Sequence, residues 1–172
     1  MSPNPLRWTR GLATALTALQ LACAAGGSVT RESYRRGAVA YRVGPLPADW
    51  QPLAFKGTNL AFRHPGGGMI AASAQCPARE DVPLAVLTNH LLFGIETKED
   101  RGRALLTLDG RQALRTRVLG ELDGVPIELD LVALRKDDCL YDLQLIAAPR
   151  DFAARQRDFD AFVQGFATAG GK

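Results

Sequence analysis

Residues 103–147, RALLTLDGRQALRTRVLGELDGVPIELDLVALRKDDCLYDLQLIA, decide the fold. Two Asp-Gly pairs, Asp109-Gly110 and Asp123-Gly124, stand between segments of alternating apolar and polar residues. A two-residue type I′ turn needs positive φ at both central positions, and Asp-Gly supplies them, so each pair reads as a hairpin. Lys136-Asp137-Asp138 reads as a third turn. The strands then run over 103–108, 112–119, 125–134 and 139–147, as an antiparallel meander. In the third strand, Val125, Ile127, Leu129, Leu131 and Ala133 share one face, and Glu128 and Asp130 point the other way.

Working outward, Asn59 to Arg63 reads as a strand, 64–68 (HPGGG) as a turn, and Met69 to Gln75 as a strand. Pro83 suits a first helical position. A helix from Pro83 to Phe93 places Leu84, Leu87 and Leu91 on one face, with Val86 and Leu92 beside it, and Gly94 closes it. The charged run 96–102 (ETKEDRG) reads as an exposed loop. At the far end, Asp151 is a cap for a helix from Phe152 to about Ala167. Phe152, Phe159, Phe162, Val163 and Phe166 form one stripe that must bury against the sheet. Trp50 and Phe55 are expected to cover one end of the core, in a domain that begins near Tyr41, with Gly44, Pro45 and Pro47 ending its first strand early.

The 172 residues fit one domain, 41–168, plus extras. Hydrophobic residues are 47% of the chain and charged residues 23%, enough for an ordinary core. The net charge of +3 is diffuse, so nucleic acid is not an expected partner.

The N-terminus reads as an export signal over 1–22. Arg7 and Arg10 precede twelve small and apolar residues, too few to span a bilayer as a helix. Leu21-Ala22-Cys23-Ala24 resembles a bacterial lipobox, although Gln20 departs from the usual aliphatic residue. That resemblance implies a lipid on Cys23, an anchor in the membrane, and outer-membrane sorting facing the periplasm. The competing reading is cleavage after Ala24, giving a soluble periplasmic or secreted protein. Residues 23–40 read as a flexible tether. Of the three cysteines, Cys76 and Cys139 remain. An oxidising compartment favours a disulfide between them, against two buried thiols.

A strand pair, a helix, a four-strand meander and a closing helix together resemble the PsbP-like (Mog/PsbP) fold. That fold is shared by a plant photosystem extrinsic subunit, a Ran-binding protein and small bacterial lipoproteins. The residues carrying the resemblance are Leu108-Asp109-Gly110-Arg111, Leu122-Asp123-Gly124-Val125, Cys139-Leu140-Tyr141-Asp142, and 158–166 (DFDAFVQGF). It implies a mixed α+β sandwich, an antiparallel meander sheet packed by an internal and a C-terminal amphipathic helix. It also implies a non-enzymatic role in binding or assembly.

No catalytic constellation stands out. His64 and His90 lack metal-ligand spacing, no GxSxG surrounds Ser33 or Ser73, and Gly66-Gly67-Gly68 lacks the Lys-Ser/Thr of a phosphate loop. Neither metal nor cofactor is expected. Counting outward from Asp123-Gly124 puts Arg117 opposite Asp130, with Asp142 on the next strand. These three form either an acid cluster for a ligand or cation, or an ion ladder contributing about 0.2–1 kcal/mol per pair. The leading expectation is an accessory module with an envelope protein partner and an exposed apolar or charged patch. The second is a carrier or sensor of a small apolar ligand such as a lipid, with an apolar cavity between helix and sheet. A hydrolase would need clustered titratable residues in a cleft, and ranks last.

Overall fold

A computed structural model describes residues 27–54, 56–78 and 82–169. The expected signal, Cys23 and Phe55 lie outside the described residues. In chain order the elements are β1 (Ser28–Val29), β2 (Ser33–Arg36), β3 (Val39–Arg42), β4 (Gln51–Pro52), β5 (Leu60–Arg63), β6 (Met69–Gln75) and α1 (Leu84–Leu91). There follow β7 (Glu96–Leu108), β8 (Arg111–Leu122), β9 (Val125–Lys136), β10 (Cys139–Ala147), α2 (Pro149–Gln164) and β11 (Ala167–Thr168).

The meander is β7 to β10, and its three turns are as tight as the sequence requires. Asp109 and Gly110, Asp123 and Gly124, and Asp137 and Asp138 all have positive φ. The meander continues into β6, β5 and β4, giving a seven-stranded antiparallel sheet in the order β4-β5-β6-β10-β9-β8-β7. A second, smaller sheet has the order β1-β2-β3-β11. The protein is therefore an α+β sandwich, with two antiparallel sheets and two helices among the described residues.

The main core lies on the α2 side of the large sheet. Phe152, Phe159, Phe162 and Val163 of α2 and the following Phe166 pack on Phe62, Ile70, Val132, Leu143 and Leu145. Trp50 is fully buried in the same core, and its indole N–H donates to Asp158 at 2.8 Å. Burying a side chain of this size contributes on the order of 2–3 kcal/mol. Cys76 and Cys139 form a disulfide, with Cα atoms 4.5 Å apart, tying the end of β6 to the start of β10. The chain leaving β3 crosses α2 at Gly44, whose N–H donates to the Phe162 carbonyl at 2.9 Å. Only a glycine fits, because a Cβ there would collide with the Ala161 carbonyl.

Four expectations need correction. Residues 28–40, read as tether, hold β1, β2 and the start of β3, so the fold already includes Ser28. Those strands are two to four residues long and mostly solvent-facing, too short to show an apolar period. The charged run 96–102 is the first half of β7, not a loop. Register shifts between Glu96 and Glu99 and between Asp100 and Gly102 scramble its alternation, and charged residues suit an edge strand. Asp151 does not cap α2. The helix starts earlier, with Pro149 in its first turn and Ala148 at the cap, and Asp151 falls in the first turn, where a negative charge suits the helix dipole. That helix also ends at Gln164, so β11 can turn away and pair with β3.

Candidate functional site

The large sheet has two faces, and the polar residues marked by sequence divide between them. Arg117 and Asp130 stand directly opposite each other across β8 and β9, on the α2 side. Asp142 does not join them. Asp130 pairs across β9 and β10 with Leu145, three residues from Asp142, and an odd separation in a strand puts the side chain on the other face. The expected three-residue cluster is therefore broken.

On the α2 side the charges are mutually satisfied. Asp130 is fully buried and receives a two-pronged bond from Arg115, Nε to Oδ1 at 2.9 Å and Nη2 to Oδ2 at 2.6 Å. The same Nη2 reaches Asp160 of α2 at 2.6 Å. Arg117 donates to Glu128 at 2.7 Å, and its guanidinium lies 4.4 Å from the centre of the Phe152 ring. This network locks helix to sheet, as a neutralised set of ions under a helix should.

The other face is different. α1 has only eight residues and seats Leu92 over Val118, Leu129 and Leu131. The strip above β6 and β10 stays open beside it, as a cleft of about 340 Å³. Ser73 and Asp142 pair directly across its floor. Gln75 and Gln144 flank them, Leu91 of α1 forms a wall, and Lys56 and Thr58 stand at the rim. Burial pushes the Asp142 carboxyl up to about 7. Among the described residues, the side chains of Ser73, Gln75, Asp142 and Gln144 make no hydrogen bond or ion pair. These half-buried and exposed side chains face the open cleft, where a molecule from outside can reach them.

Sequence reasoning missed Ser73, Gln75, Gln144 and Lys56. The signal was in β10, where Leu140, Asp142 and Gln144 alternate with Tyr141, Leu143 and Leu145, marking a face that is not wholly apolar.

α1 itself turns apolar residues outward. Thr88 and Leu92, and not the expected Leu84, Leu87 and Leu91, are its most buried residues. Its five apolar residues, Leu84, Ala85, Val86, Leu87 and Leu91, are spread around the helix, so the face that Leu84, Leu87 and Leu91 share is not the one turned to the sheet. As a result Val86 and Leu91 are partly exposed and Phe93 is 92% exposed. A shallower cleft of about 130 Å³ on the other flank is lined by Val82, Leu87, His90 and Leu140. His90 is thus far from His64, whose Nε2 bonds Asp49 at 2.8 Å and whose Nδ1 accepts the Gly66 N–H at 2.9 Å. That pair fixes the turn before β6 and holds the Asp49 carboxyl below its usual range. Among the described residues no three His, Cys, Asp or Glu side chains gather as metal ligands, and no helix is long and apolar enough to cross a membrane.

No family model matches the sequence, and no curated protein matches it. Solved structures do. Cyanobacterial PsbP (CyanoP) from Synechocystis superposes with a TM-score of 0.57 at 14% identity, over 80% or more of both chains: 83% of this one and 96% of that. LpqN of Mycobacterium tuberculosis, described as involved in cell envelope biogenesis, gives 0.55 at 14% identity over 76% of this chain and 85% of its own. A Pseudomonas aeruginosa protein of unknown function gives 0.51 at 13% identity over 80% and 91%. The fold is PsbP-like.

Proposed function

We propose that this protein is a non-enzymatic binding module of the cell envelope, and that it docks a partner protein through the α1 side of its large sheet. The observation that carries the reading is the outward set Val86, Leu91 and Phe93. An almost fully exposed phenylalanine, close in sequence to two further exposed apolar side chains, costs solubility and gains nothing inside the fold, as an interaction surface would. The apolar interior on the α2 side is filled by its own phenylalanines. That gives a carrier of apolar ligands less support than a docking module.

An envelope address agrees with the signal-like residues 1–22 and the lipobox-like Cys23. It also agrees with the fold likeness to LpqN, whose description concerns cell envelope biogenesis. On this reading Cys23 carries the lipid and the domain faces the periplasm from the outer membrane.

The test is native mass spectrometry of the full chain gently extracted from its own membranes, with Phe93→Glu run in parallel. The expected result is a mass excess equal to a second protein, lost in the variant. A bare acylated monomer, or a complex unchanged by Phe93→Glu, overturns the proposal.

A further inference from the structure

The cleft beside α1 shares Leu91 with the apolar helix surface but differs from it in its polar, charged floor. Asp142 sits half-buried in the middle of that floor with Ser73 opposite it across β6 and β10. Gln144 lies two residues along the same strand, so its amide projects from the same face. None of the three has a hydrogen-bond partner among the described residues. The contrast with the other face is informative. There Asp130, fully buried, is met by Arg115 from the neighbouring strand. Asp142 has received no such cation from the chain itself.

Among the described residues the cation lining the cleft is Lys56, which is exposed at the rim and makes no ion pair there. The site therefore presents a negative group at its floor and a positive group at its mouth, with the apolar side chains of Leu91 and Leu140 along the way. A simple cation would be drawn to the floor and repelled at the rim. A simple anion would be held at the rim and repelled from the floor. A molecule with opposite charges at its two ends, joined by an apolar stretch, satisfies both.

We propose that this cleft binds a zwitterionic ligand, its primary ammonium seated on Asp142 between Ser73 and Gln144 and its anionic group directed to Lys56. Ser73 and Gln144 offer oxygen acceptors to the remaining ammonium hydrogens, so all three N–H donors find partners. The volume of about 340 Å³ accommodates a chain of several heavy atoms while leaving the mouth open to solvent. This site does not depend on the docking of a partner at Phe93, and either can fail alone.

The experiment is NMR titration of the full chain with three probes: 6-aminohexanoate, n-hexylammonium and hexanoate. Shifts are followed at Ser73, Leu140, Asp142 and Gln144. The expected order is 6-aminohexanoate tightest, n-hexylammonium several-fold weaker, and hexanoate without effect at these residues. Asp142→Asn, which keeps the shape and removes the charge, should weaken 6-aminohexanoate at least tenfold. Lys56→Ala should abolish its advantage over n-hexylammonium while leaving n-hexylammonium bound. Should Asp142→Asn not fold, Ser73→Ala serves as a second floor variant and should weaken both ammonium probes. Equal shifts from all three probes, no shift at the cleft, or full binding by the Asp142→Asn protein overturns the proposal.

Discussion

Arg117 and Asp130 face each other across β8 and β9, yet neither bonds to the other. Arg117 reaches diagonally to Glu128, and Asp130 takes Arg115 from two residues along β8. The shift lets each guanidinium also meet α2, Arg115 through Asp160 and Arg117 over the face of Phe152. Register alone names the residues that are opposite; the helix above decides which of them pair.

That arrangement makes Arg115 the more costly of the two to remove. Arg115→Ala leaves Asp130 buried with its main partner gone, and breaking a buried pair from one side destabilises by about 3–5 kcal/mol. Arg117→Ala exposes less uncompensated charge and should cost about 1 kcal/mol through lost packing and a lost charged hydrogen bond. Urea denaturation of both variants checks the order. A double variant, Arg115→Met with Asp130→Leu, should recover most of the loss, because two well-packed apolar residues replace two desolvated charges.

The disulfide between Cys76 and Cys139 closes a long loop, with a sequence separation of 63. A bridge of this kind stabilises by about 2–4 kcal/mol, chiefly by restricting the unfolded chain. The Cys76→Ser, Cys139→Ser protein should therefore melt several degrees below the parent under oxidising conditions. The two should converge in reductant. Thermal melts with and without a thiol reductant read this directly, and a difference that persists in reductant would assign the loss to packing at the buried Cys139 instead.

Asp142 gives the chain a distinctive pH dependence. Burial raises its folded pKa to about 7, above the unfolded value of about 4. Between those values the folded state holds a proton that the unfolded state has released. Stability from this group thus falls as pH rises from about 4 to about 7, and levels off above. Lys56 lines the same cleft, and the nearby Tyr41 hydroxyl stays neutral throughout, its ionisation suppressed first by burial and then by Asp142. Asp142→Asn should raise the melting temperature clearly at pH 8 and much less at pH 5. A uniform gain at both would show that the carboxyl is not the titrating group.

Much of this was readable from residues, for reasons that differ by element. Asp109-Gly110 and Asp123-Gly124 announce their hairpins because positive φ is a local demand that few residue types meet. The three phenylalanines of α2 and Phe166 just beyond it announce a buried stripe because they have nowhere else to go. β1 and β2 were hidden because a two- or four-residue strand on a polar surface carries no period, and their pairing with β3 is a tertiary fact. The cleft was hidden for another reason. Ser73 and Asp142 lie 69 residues apart in sequence and meet only through the β6–β10 register. Asp142 was noticed, but on the wrong side of the sheet, because nothing local connects β10's facing to the charges on β8.

The early start of β1 has a mechanical consequence. If Cys23 carries the lipid, residues 24–27 are all that separate the acyl chains from the first strand at Ser28. Fully extended, that stretch spans about 16–18 Å. A domain of this size has a radius of gyration of about 14–15 Å, so its breadth exceeds the leash. It would lie against the bilayer surface and have little room to tumble. It would meet other molecules by sliding within a two-dimensional film, where a partner already in the same film is encountered far more often than one dissolved in the space beyond.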